Sequence, residues 1–134
     1  MDESVAASPG SRERLVATRH ALLGLHKLLL QRERADYGED HGPVTNARLL
    51  DLALHDESFA WLRPILQIVV RIDEMLEWDG LWTDADAQAL LDRTRALLKA
   101  SESGTPFEQK YDQALQADPE VVFAHRAVIK AASG

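Results

Sequence analysis

The stretch that most constrains this chain is FAWLRPILQIVVRIDEMLEW, residues 59–78. Its apolar side chains recur with helical spacing and do not alternate as a strand's would. At about 100° per residue they fill an arc from Met75 and Ile68, through Trp61, Ile72, Ile65, Leu76, Val69, Leu62 and Leu66, to Val70. An arc wider than half the circumference predicts a helix enclosed by several others, so residues 59–79 are expected to form the buried centre of a compact all-α bundle. One charged residue, Asp73, falls inside the arc beside Val69, Leu62 and Leu66, and it calls for a partner.

The segments on either side supply the neighbours. Residues 1–10 are small, polar and acidic, and read as a disordered tail ahead of one helical domain at residues 11–134. Ser11 is placed to cap a first helix that runs to about residue 36, with Leu15, Leu22, Leu25, Leu29 and Leu30 on one broad face. Gly38, Gly42 and Pro43 are expected to stop it. Thr45 or Asn46 begins a short second helix carrying Leu49, Leu50, Leu52 and Leu54. Asp56 or Ser58 can cap the central helix; Pro64 is harmless near its start but would kink it if the helix began at Asp56. Asp79 and Gly80 should end it.

Thr83 is a strong cap for a fourth helix, whose buried stripe is Ala87, Leu90, Leu91, Thr94, Leu97 and Leu98. Thr105-Pro106-Phe107-Glu108 spells a capping box for a fifth, and Asp118-Pro119 starts a sixth with Val121, Val122, His125, Val128 and Ile129 inward. The sum is five substantial helices, one short one and no strand pattern.

Along the first helix, Arg19, His26 and Glu33 stand seven residues apart and so share one line, flanked by leucines. Buried groups of this kind need partners, and the economical expectation is that the first helix packs on the central one with Asp73 meeting Arg19 or His26. On that reading, Asp73→Ala would cost about 3 to 5 kcal/mol by leaving a buried cation unpaired. Arg19, His26, Glu33 and Asp73 are therefore the candidate polar cluster, either a register-setting network or a set of ligands or proton carriers. Neither paired Glu-x-x-His nor His-Glu-x-x-His occurs, and no residue is assigned as a metal ligand or catalytic group and no cofactor is expected. His125 reads as a core histidine and Glu39-Asp40-His41 as a solvated turn.

Composition narrows the functional classes. The chain has no cysteine, which removes disulfides, thiolate nucleophiles and Cys-based metal sites and fits a cytoplasmic address. A net charge of −7 disfavours nucleic acid, and the basic residues of the first helix are diluted by Glu13 and Glu33. Arg63, Gln67, Arg71 and Asp73 interrupt the longest apolar run, so no membrane span is expected. The narrow polar strip of the central helix, with Arg63, Gln67 and Arg71, and the tryptophans Trp61 and Trp78 near its ends are the candidate interface residues. The expected function is a non-enzymatic interaction or regulatory module, self-associating as a homodimer or binding a protein partner. The competing expectation is a metal- or small-ligand-binding bundle, with an enzyme as one version of it, using His26, Glu33 and Asp73.

Overall fold

The computed structural model describes residues 7–78 and 82–134, which form six α-helices and one 3-10 turn with no strand. In chain order these are α1 (Pro9–His41), α2 (Asn46–His55), the 3-10 turn (Glu57–Leu62), α3 (Arg63–Glu77), α4 (Asp84–Leu97), α5 (Pro106–Ala117) and α6 (Pro119–Ser133).

α1 is longer than its sequence suggests at both ends. It starts at Pro9 because Ser8 takes the cap, its Oγ accepting from the Ser11 N–H at 3.3 Å. Proline suits that first turn, where its missing N–H would have had no helical partner. Of the expected tail, residues 1–6 lie outside the described residues. At the other end Gly38 does not stop the helix. Tyr37 stacks on His41 at 4.0 Å between ring centroids and packs on Phe59 at 5.8 Å, which holds the last turn in place. Gly42 ends it with φ 83°, a value glycine adopts without strain, and donates its N–H to the Gly38 carbonyl at 2.8 Å.

The central stretch is broken in two. Asp56 accepts from the Ser58 N–H at 2.8 Å and opens the 3-10 turn, and the α-helical bonding starts only at Arg63. Pro64 then falls in the first turn of α3 and costs no hydrogen bond. The expected stop at Asp79 and Gly80 lies outside the described residues, and Trp78 is the last residue described before it.

Nor is this helix the enclosed centre of the bundle. α3 buries Ile65, Ile68, Val69 and Ile72, yet Leu66 and Val70 stay exposed. The centre is α1, which packs most extensively on α6 and also on α3, α4 and the 3-10 turn. Its 33 residues make a rod of about 50 Å, long enough to touch elements at both ends of the bundle. Leu15, Leu22, Leu25 and Leu29 are fully buried along it.

The remaining helices follow their caps. Thr83 and Asp86 exchange hydrogen bonds of 2.9 and 3.1 Å at the start of α4, and Thr105 and Glu108 do the same with 2.8 and 3.1 Å at the start of α5. Asp118 caps α6, which buries Val121, Val128 and Ala132. Asp84 ties the starts of α1 and α4 together, accepting from the Ser8 N–H and the Ser11 hydroxyl, each at 2.7 Å; those bonds favour its charged form and hold its carboxyl below the usual range. Among the described residues no helix is long and apolar enough to cross a membrane.

Candidate functional site

The polar line on α1 reaches three separate places. Heptad spacing keeps Arg19, His26 and Glu33 on one line but sets successive members about 10 Å apart along the axis, too far to share one ligand. Arg19 Nε donates to Asp73 Oδ1 at 2.5 Å, joining α1 to α3, and both side chains are about two-fifths exposed, at 40% and 42%. Water therefore screens this pair, and the cost expected for a buried one does not apply.

Glu33 is the buried member. One of its oxygens accepts from Trp61 Nε1 at 2.7 Å and from Lys110 Nζ at 3.2 Å, which binds α1, the 3-10 turn and α5 together. Trp61 continues into an aromatic row, 5.7 Å from Phe107, which stacks on Tyr111 at 5.4 Å. The row ends at Tyr111 and His125, whose hydroxyl and Nδ1 lie 2.6 Å apart. Burial pushes the Tyr111 pKa up, while burial and then the Arg126 charge push that of His125 down. A neutral pair, with Tyr111 donating and His125 accepting, satisfies both directions.

His26, midway between, has no hydrogen-bond partner among the described residues; it is half-buried, and desolvation lowers its pKa. Glu33 and Asp73 are thus engaged elsewhere, and among the described residues no three His, Asp or Glu side chains gather as metal ligands.

His26 instead forms part of the wall of a groove of about 790 Å³ between α2 and α3. The floor is made by two pairs of aliphatic side chains. Leu50 and Leu54 stand one turn apart on α2, exposed by 64% and 59%, and Leu66 and Val70 stand one turn apart on α3, exposed by 37% and 55%. Leu30, Leu49 and Ala53 complete the apolar surface.

The groove is held open from one end. Arg63, at the start of α3, donates from Nε to the Ala53 carbonyl at 3.1 Å and from a terminal nitrogen to the Asp56 carbonyl at 2.9 Å. It therefore satisfies the orphan Ala53 carbonyl in the last turn of α2, shares the Asp56 carbonyl with the Phe59 N–H, and ties the end of α2 to the start of α3.

Of the residues expected at an interface, Arg63, Gln67 and Arg71 line this groove, Trp61 is turned toward Glu33, and Trp78, 62% exposed, lines a second hollow next to it. Arg71 and Arg93 belong to both hollows and mark where they meet. Leu50 and Leu54, expected only as apolar residues of the second helix, and Arg93 are not among the interface candidates. Their signal is present nonetheless: four leucines in the ten residues of α2 cannot all face one way.

Compared with known proteins, the chain matches no family model, no curated protein and no solved structure.

Proposed function

We propose that the chain is a non-enzymatic helical interaction module and that the groove between α2 and α3 is where its partner docks. The observation that carries this reading is the set Leu50, Leu54, Leu66 and Val70, four large aliphatic side chains exposed side by side on two adjacent helices. Contiguous apolar surface of this kind favours a covering partner, because water must otherwise hydrate it. Two helices with a trough between them suit a third helix laid along it, with its apolar side chains spaced one turn apart.

A second copy of the chain is one such occupant and a helix of another protein is the other. The small-ligand reading is supported by the same groove, whose floor is almost wholly aliphatic.

The test uses the double variant Leu54→Asp with Val70→Asp. Both positions are exposed, so the fold should lose no more than about 0.5 kcal/mol. In extract of its native cells, the wild-type chain should sediment in a species larger than its 14.9 kDa, and the variant should return to monomer. Equal sedimentation of the two would remove the docking role. The purified chain, sedimented alone over a range of concentrations, tells self-association from binding to another protein.

A further inference from the structure

We infer that the partner seated in the α2–α3 groove is an acidic amphipathic helix of another protein. The inference rests on the docking role proposed above and adds the chemistry of the partner.

Charge carries it. The chain as a whole is acidic, with 22 Asp and Glu against 15 Lys and Arg. The groove reverses that balance: its lining includes Arg63, Arg71, Arg93 and His26 and, among the described residues, no Asp or Glu. Two of these cations are available. Arg93 has no hydrogen-bond or ion-pair partner among the described residues. Among the described residues Arg71 has only Glu74, at 3.7 Å, on a side chain itself 55% exposed. Arg63 is not available, since its guanidinium already serves the Ala53 and Asp56 carbonyls.

An apolar floor bordered by Arg93 and by the loosely paired Arg71 matches a helix with leucine-like side chains on one face and carboxylates flanking them. The floor gives the register. Leu50 and Leu54, and Leu66 and Val70, each repeat at i, i+4, so the partner would set apolar residues at i, i+3 or i+4, and i+7 between the two rungs.

A second copy is the poorer fit. A two-fold axis through the groove would set Arg71 and Arg93 against the same lining in the other copy, which holds no carboxylate among the described residues to receive them. The neighbouring hollow limits the site in the other direction. It presents Glu74 and Asp86, so the acidic helix must stop at Arg71 and Arg93 and not run on toward Trp78.

The experiment uses the full chain and two designed helical peptides of about 18 residues, long enough to hold some helix alone. Both carry the same leucine stripe; one flanks it with Glu, the other with Lys. Binding is read by fluorescence anisotropy. The acidic peptide should bind about tenfold more tightly than the basic one, the value expected from two partly exposed ion pairs, and the gap should shrink as salt is added. The double variant Arg71→Glu with Arg93→Glu, at two exposed positions, should invert the preference.

Equal binding of the two peptides, or a preference untouched by that variant, would overturn the acidic partner and leave an apolar docking groove standing. So would dimerisation of the purified chain that Leu54→Asp abolishes, which would make the occupant a second copy. Binding of palmitate without either peptide would replace the helix with a small amphiphile. If the acidic peptide binds the Leu54→Asp, Val70→Asp variant as tightly as wild type, the groove is not the site and the docking role falls too.

Discussion

Along α1, Leu15, Leu22, Leu25 and Leu29 recur at intervals of three, four or seven residues, and every one is fully buried. α2 carries Leu49, Leu50, Leu52 and Leu54 within ten residues and buries only Leu49 and Leu52. The two helices use the same side chain, so hydrophobicity does not separate them. Spacing does. Leucines at helical intervals form one stripe that a neighbour can cover, whereas leucines packed at short intervals surround the helix and leave half of them facing out. α3 shows the intermediate case, with Ile65, Ile68, Val69 and Ile72 covered and Leu66 and Val70 left open. The seam around α1 is therefore a finished interior, and the α2–α3 groove is an interior lacking one side.

The contrast is easiest to break with truncations. Leu22→Ala should cost about 3 kcal/mol in urea unfolding, through lost burial and the cavity left behind. Leu54→Ala should change stability by less than about 0.5 kcal/mol. Equal losses would mean that the groove is closed in solution.

Next in size is the buried carboxylate. Glu33→Ala strands the Trp61 indole N–H and the Lys110 ammonium and should cost about 1 to 3 kcal/mol, while Glu33→Gln, which still offers Trp61 an acceptor, should cost less. Similar losses for the two variants would show that packing, not hydrogen bonding, holds this corner. Asp73→Ala should cost no more than about 1 kcal/mol, and that cost should fade with added salt, because its partner Arg19 sits at the surface. A larger loss that ignores salt would return the pair to the interior.

The smallest effect is the response to pH. His26 and His125 have folded pKa values below the usual 6.5, so the unfolded chain takes up protons more readily than the folded one. Their contribution to stability is complete above pH 6.5 and is lost as pH falls toward the folded values. Tyr111 works in the opposite direction: its raised pKa means stability declines as pH climbs above 10.0. Melting temperature against pH should show both slopes, and His125→Phe should flatten the acid side. An unchanged acid slope in that variant would exclude the histidine paired with Tyr111 as its source.

The sequence carried the helices well because their signals are local. The Thr83 and Thr105 caps, the Pro106 and Pro119 starts and the stripes of α4 and α6 depend on residues within a few positions of each other. Which helix stands at the centre is not local. The width of an apolar arc measures how much a helix would like to bury, and the number of neighbours decides how much it does. α3 has the wider arc, but α1 has the length to meet α6, α3 and α4. The contact of Arg19 with Asp73 was legible, since two polar groups within apolar surroundings seek each other. Its exposure was not, nor was the separation of His26 and Glu33 from it, because a helical wheel records angle and discards distance along the axis.

The pairing of α1 with α6 also sets an order of events during synthesis. α1 is made before its principal neighbour α6, with the other four helices between them, so the leucines of α1 are finished long before residues 119–133 exist to help cover them. Between Leu15 and Leu29 that uncovered stripe extends about 20 Å, and closing it requires a contact across most of the chain, the slow kind of contact in folding. A chain stalled before α6 would therefore offer a chaperone, or a neighbouring nascent chain, a greasy face on α1. The face that stays open afterwards lies on α2 and α3, so the surface to be guarded during birth and the surface available in the adult molecule are different ones.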